Sequence, residues 1–283
     1  MAAYILIIEH HLKPAFKFFS QICNCDIQNF INQKVAAGLS VKSVKDMVMV
    51  LKMILRYGEK LGCFPYEKLE VKYPKDFSIK TLPVLTVDQQ KRLLDHLVEN
   101  MNSKNLGIIL CLYTGLRIGE LCALKWKDID VANSVIRIDK TISRIYAEGL
   151  SGNKTSLVLT PAKTIHSNRI IPICDRLREI IKTRFGDISG ECYVLTGTNV
   201  PTEPRAYRNY FYRMLKKLDL PHIKFHGLRH SFATRCIESK CDYKSVSEIL
   251  GHSDISTTLN LYVHPSLEQK KNCIEQMLDS ISD

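Results

Sequence analysis

The chain has 283 residues, 45% of them hydrophobic and 24% charged, and its 40 Lys and Arg outnumber its 29 Asp and Glu to give a formal net charge of +11 and a pI of about 9.1. This is the composition of a globular protein of one large or two modest domains, and it excludes a disordered tail and a collagen-like fibre. No apolar run approaches the ~20 residues of a membrane span, the stretch Ala2 to Ile8 lacks the basic start of a secretory signal, and the basic excess favours a polyanion: DNA, RNA or an anionic membrane surface.

Residues 1 to about 73 read as helical. Ile27, Phe30, Ile31 and Val35 recur at helical spacing, and Gly38 is a stop signal. Ser40 can cap the next helix, whose apolar stripe is Val41, Val44, Val48, Leu51, Ile54 and Leu55. Lys42, Lys45, Lys52, Arg56 and Lys60 decorate the rest. Up to Lys75 there are 11 basic and 6 acidic residues, so +5 of the charge lies in the first quarter of the chain. These lysines fit either a solvated helical face or a grip on a polyanion.

The stretch from Val71 to Pro83 lacks periodicity and holds Pro74 and Pro83, which marks a linker. Beyond it, Thr86 and Gln89 form a capping-box pattern that opens a helix to about Glu99. Further helices are predicted near 104–114 and from Arg117 to Leu124. Between 128 and 172 the period changes. Val135–Asp139, Ser156–Thr160 and a segment beginning at Arg169 read as strands of one small antiparallel sheet, with Gly149 and Gly152 marking a turn. Helices resume near 174–185, 204–219, 226–239, 243–250 and 256–263, and an amphipathic helix spans 266–280. The fold class is mainly α with a small antiparallel β-sheet (α+β).

The ten cysteines include no Cys-x-x-Cys and no pair beside a correctly spaced His pair. Buried free thiols in a reducing cytoplasm are expected, with Cys111 and Cys122 in apolar surroundings. No metal or other cofactor is expected.

Four segments carry chemistry. In Tyr113-Thr-Gly-Leu-Arg117-Ile-Gly-Glu120, Arg117 and Glu120 lie three apart, so the carboxylate can hold the guanidinium as a fork for a phosphate. Lys163 sits at a loop tip between two strands, in Thr160-Pro-Ala-Lys163-Thr-Ile-His-Ser-Asn-Arg169. His226-Gly-Leu-Arg229-His230 repeats the spacing of three with an imidazole and a second fork. Gly251 closes a short helix and leaves His252 at its end, and Tyr262 follows about two turns into the next helix. Alone, each piece also fits a bland role: a surface ion pair, a solvated turn lysine, a satisfied structural histidine, a core tyrosine.

Their order and context are more specific than any one of them. Thr114-Gly-Leu-Arg117-x-x-Glu120-Leu, Lys163 with Ser167-x-Arg169, His226-x-Leu-Arg229-His230, Leu250-Gly-His252 and Tyr262 resemble the tyrosine recombinase (phage integrase) family, in particular integrases of phages and conjugative transposons of Gram-positive bacteria. The resemblance covers nearly the whole chain and is strongest from about 84 to 265. It implies an all-helical core-binding domain over 1–75, a linker over 76–84 and a catalytic domain over 85–283 that ends in the helix 266–280.

The resemblance implies a site-specific recombinase whose nucleophile, Tyr262, forms a 3′-phosphotyrosyl link. Arg117 and Arg229 would clamp the phosphate, Lys163 would protonate the leaving 5′-oxygen, His226 and His252 would bind the phosphate and assist proton movement, and Glu120 would orient Arg117. Lys154 is the alternative lysine. Lys42, Lys45, Lys52 and Arg56 would contact DNA. The implied partner is double-stranded DNA with inverted core repeats, held in a C-shaped clamp, and no membrane. A homotetramer would pass through a Holliday junction, with the C-terminal helix docked on a neighbouring protomer or packed back on its own domain. An accessory directionality factor would accompany a mobile-element integrase. Tyr4 to Pro14 already resembles the first core-binding helix, which leaves little room for an arm-binding domain. Two rivals share part of the pattern: a type IB topoisomerase, and a DNA-binding relative without activity. The Leu-Gly-His and Thr-Gly-Leu-Arg contexts argue against the first, and the six filled positions against the second.

Overall fold

A computed structural model of the chain describes residues 2–19, 22–66, 69–74, 83–146, 155–161, 168–186 and 189–262, together with 271, 274–275 and 277–278. The chain divides into two units, Met1–Lys80 and Thr81–Asp283.

The first unit is helical. Helix α1 (Ala2–Ile7) runs on through a π-helical turn, Ile8–Leu12, into the short α2 (Lys13–Ala15). Helix α3 (Asn24–Ala36) begins where the Asp26 carboxylate accepts the Cys23 backbone N–H at 3.0 Å. It ends before Gly38, whose φ of +84° is open to glycine at little cost. Helix α4 (Val41–Lys60) starts at Ser40, whose Oγ accepts the Ser43 N–H at 3.1 Å. The expected stripe faces inward: Val44, Val48, Leu51 and Leu55 are buried with Met47 against Ile27, Phe30 and Ile31 of α3 and against Leu12 and Phe16. Gln28 of α3 holds both backbone polar groups of Lys72, at 2.8 and 3.0 Å, so the start of the aperiodic stretch is tied to this unit. Residues 75–82 of that stretch lie outside the described residues.

The second unit is built around α6 (Ser103–Thr114), whose residues Leu106 to Leu112 are all buried. Gly107 admits the side chains of Leu195 and Tyr207 to within a distance that any Cβ would block. Helix α5 (Val87–Glu99) opens on the expected capping box: Thr86 Oγ1 accepts the Gln89 N–H at 3.3 Å, and Gln89 Oε1 accepts the Thr86 N–H at 3.0 Å. Helix α7 (Ile118–Ala123) follows.

The strands differ from the sequence expectation of one sheet. Strands β1 (Ile129–Asp130), β2 (Val135–Ile138) and β5 (Arg169–Pro172) form a three-stranded antiparallel sheet in the order β1-β2-β5. Strands β3 (Lys140–Tyr146) and β4 (Thr155–Pro161) form a separate antiparallel pair in which Ile142 faces Leu159. Strand β2 already has a neighbour on each side, so the 156–160 segment pairs with β3, a strand the sequence reading did not single out. Gly149 and Gly152 lie outside the described residues.

Helices α8 (Asp175–Phe185), α9 (Pro204–Lys217), α10 (His226–Glu238), α11 (Tyr243–Leu250) and α12 (Ile255–Tyr262) complete the unit, close to their expected limits. The mostly helical architecture with small antiparallel sheets agrees with the α+β expectation. Of the 266–280 segment, the described residues Lys271, Ile274, Glu275, Met277 and Leu278 are helical and exposed. The expectation of buried thiols holds for Cys111 and Cys122 but not in general: Cys23, Cys25, Cys63, Cys174 and Cys241 are exposed, because they sit at helix ends and in loops rather than on inward stripes. No helix among the described residues is long and apolar enough to cross a membrane.

Candidate active site

Three arginines from separate parts of the chain converge on the C-terminal end of α11. Arg169 of β5 donates from Nε to the Ile249 carbonyl at 2.7 Å, Arg229 of α10 from Nη2 to the Leu250 carbonyl at 2.7 Å, and Arg117 from Nη2 to the Gly251 carbonyl at 3.0 Å. The last carbonyls of a helix lack partners within it and carry partial negative charge, so cations gather there favourably. Gly251 stops α11 with a φ of +65° and turns its own carbonyl to Arg117. Gly115 stops α6 in the same way, with a φ of +66°, and its carbonyl accepts Arg229 Nη1 at 2.9 Å. A Cβ at Gly115 would lie 2.7 Å from a Leu250 methyl, so the two helix ends meet only because this residue is glycine.

Glu120 is the anionic centre of the cluster. Its Oε1 accepts Arg117 Nη1 at 2.8 Å and Arg169 Nη1 at 3.0 Å, and its Oε2 accepts the Arg117 backbone N–H at 2.9 Å and Arg169 Nη2 at 2.9 Å. Burial pushes the Glu120 carboxyl up, but hydrogen bonds and charge from Arg169, then those from Arg117, outweigh it and hold the group below the usual carboxylate range. Their spacing of three predicts Arg117 and Glu120 on one helical face. Arg117 instead precedes α7 with extended backbone (φ −75°, ψ 148°), and Glu120 reaches back to it as a capping residue. The guanidinium is still held by the carboxylate, and its side chain remains 36% exposed.

The histidines line the same region. The rings of His226 and His230 meet edge to face with centroids 4.5 Å apart. His252, just past Gly251, shares a hydrogen bond of 2.8 Å between Nδ1 and Thr258 Oγ1. Thr258 is fully buried on α12, four residues before Tyr262 of the same helix. Burial, then the charges of Arg229 and Arg117, the neighbouring His226 and Arg169 push His252 down to about 4. Burial, His226 and Arg229 do the same to His230, also to about 4. His226 is lowered by burial and by Arg229 and Arg117, against a smaller opposing pull from Glu120. At neutral pH these imidazoles are uncharged and able to accept a proton.

The structure thus brings Arg117, Glu120, Arg229, His226 and His252 together. Tyr262 lies on the helix that Thr258 ties to His252, but its side chain is outside the described part of the chain. Lys163 and Lys154 also lie outside the described residues. Lys42, Lys45 and Arg56 are exposed on α4 and Lys52 is partly so. Lys45 lies over the Tyr73 ring at 5.3 Å and Arg56 over the Tyr66 ring at 5.7 Å. Two features were missed from sequence. One is the buried Arg169, which the sequence marks only as part of a motif. The other is α9, where Arg205, Arg208, Arg213, Lys216 and Lys217 are exposed on a helix without an acidic residue.

Residues 83–269 match the phage integrase family. The chain belongs to that family. It is a tyrosine-type site-specific recombinase, an enzyme of the DNA recombination by which mobile elements are integrated and excised. The recombinase is 27% identical over 281 residues to a XerC-like tyrosine recombinase of Caldanaerobacter subterraneus, covering 92% of this chain and 72% of that protein. It is 25% identical over 297 residues to the ICEBs1 integrase of Bacillus subtilis, covering 98% and 76%. It shares its fold with the Tn1549 transposon integrase solved in complex with transposon right-end DNA, with a TM-score of 0.76 at 22% identity over 98% of this chain and 94% of that one.

Proposed function

We propose that the recombinase cuts and rejoins DNA at the arginine cluster, with Tyr262 as nucleophile. The Tyr262 oxygen attacks the scissile phosphorus, the bond from phosphorus to the 5′-oxygen breaks, and a 3′-phosphotyrosyl link replaces it. Attack by a 5′-hydroxyl of the partner strand reverses the step and rejoins the DNA. The phosphodiester is conserved as a covalent intermediate, so no external energy source enters the balance. Lys163 donates the proton to the leaving 5′-oxygen. His252 and His226, uncharged at neutral pH, are suited to receive the tyrosine proton and to bind the phosphate.

The observation that carries this reading is the charge balance around Glu120. Among the described residues, three guanidinium groups gather about one carboxylate and a helix C-terminus, a net positive arrangement suited to an anion. Arg117 and Arg229 take the non-bridging oxygens, and Glu120 keeps Arg117 in place. The exposed cations of α4, Lys42, Lys45, Lys52 and Arg56, and those of α9 grip the flanking duplex through its phosphates. Recombination of two inverted-repeat core sites proceeds through a Holliday junction in a homotetramer linked by the 266–280 helix, with an accessory factor setting direction, in the cytoplasm.

A nicked duplex built on the site that the recombinase selects from a random-sequence pool tests the reading. Denaturing gels should show a covalent protein–DNA adduct with the wild-type chain and none with Tyr262→Phe. A bound but uncut duplex with the wild-type chain would leave a DNA-binding protein without activity. Relaxation of any plasmid without exchange between sites would favour a topoisomerase.

A further inference from the structure

We infer that Arg169 is a positioning residue for strand cleavage: it joins β5 to both the Glu120 carboxylate and the α11 C-terminus, and so fixes the two forks that hold the phosphate. The inference rests on the proposed role of Arg117 and Arg229.

The side chains of Arg169 and Glu120 are each only 7% exposed. The pair is a bidentate fork, with both carboxylate oxygens accepting, at 3.0 and 2.9 Å. An Arg on this strand is otherwise hard to account for. The β5 residues alternate, with Arg169 and Ile171 inward and Ile170 62% exposed. The chain thus buries a guanidinium and leaves an isoleucine outside. A buried ion pair adds little net stability over apolar packing, so the geometry it imposes is the feature to explain.

That geometry is specific. Glu120 has two oxygens, and each is shared between Arg169 and Arg117. With Arg169 in place, the carboxylate plane is fixed, and the direction of Arg117 Nη1 is fixed with it. The Nε of Arg169 holds the Ile249 carbonyl, and the next two carbonyls hold Arg229 and Arg117. One guanidinium therefore sets both the anion and the helix end against which the two forks are aligned. Arg169 need not touch DNA to do this.

Lysine at this position keeps the charge but cannot make the fork and the third bond together. Arg169→Lys should bind the selected duplex with a half-saturating concentration within about twofold of wild type. At saturating protein it should form the Tyr262 adduct roughly tenfold to a hundredfold more slowly, the scale of a misaligned reacting group. A second variant covers the chance that a lone change disturbs folding. Arg169→Met with Glu120→Gln removes both halves of the buried fork, so neither Arg169 nor Glu120 is left facing a missing partner. It should melt close to wild type and still cleave slowly. Wild-type cleavage rates in Arg169→Lys, or in the folded double variant, would overturn the positioning role. So would a loss confined to DNA affinity. A wild-type chain that binds the duplex and forms no adduct would instead overturn the proposed function, and the inference would fall with it.

Discussion

His230 and His252 are held neutral by burial and by the arginines beside them, and this links stability to pH. Both have folded values pushed down to about 4 from an ordinary value near 6.5. Between those limits the unfolded chain takes up protons that the folded chain does not. Stability is therefore fully present above about pH 6.5 and is lost as pH falls toward 4. The thermal midpoint should drop between pH 7 and 5, and His230→Asn should show a shallower drop across that window, whatever its midpoint at pH 7. An equal slope in the variant would contradict the assignment. Thr258→Val keeps the shape of the buried side chain and removes the partner of His252 Nδ1. It should slow cleavage while leaving DNA binding unchanged, as read by adduct formation against duplex titration. At this scale much was legible in the sequence: Arg117, Glu120, His226, Arg229 and His252 do meet. Arg169 was not legible as a contributor, because Arg-Ile-Ile-Pro gives no sign that the arginine rather than its neighbour points inward.

The decisive element is the end of α11, where a glycine in the left-handed region presents three successive carbonyls to three arginines. Gly251→Ala forces a side chain into that conformation, at a cost of about 1–2 kcal/mol, and shifts the carbonyl that Arg117 uses. Gly38→Ala is the control: φ is +84°, with open space where the Cβ would lie. Both variants should melt lower by a similar amount, but only Gly251→Ala should also lose cleavage rate at saturating protein. Helix limits were readable because caps are local. Ser40, Thr86 and Gly115 announce them within a few residues. Strand partners were not, because pairing depends on which edge remains open. The β2 strand is closed on both sides, and β3 follows it after Asp139 with no turn signal that marks a second sheet.

For the whole molecule, the +11 charge sets the terms of DNA binding. Binding through phosphates releases counterions, so log affinity should fall linearly with log salt, by about 0.9 per phosphate neutralised. Arg208→Ala in α9 should weaken binding to all duplexes alike and lower that slope by about one, as read by titration at several salt concentrations. An unchanged slope would remove α9 from the interface. The charge was visible from composition, but its placement on α9 was not, because five basic residues in a helix become a row only once the helix is seen to expose them. Tyr262 is the proposed point of covalent attachment. The direct measurement is to trap the adduct on a nicked duplex of the selected site, digest protein and DNA, and locate the nucleotide remnant by mass spectrometry. The remnant should sit on the peptide that contains Tyr262 and on that residue. A remnant on any other residue, or a Tyr262→Phe chain that still yields the adduct, would contradict it.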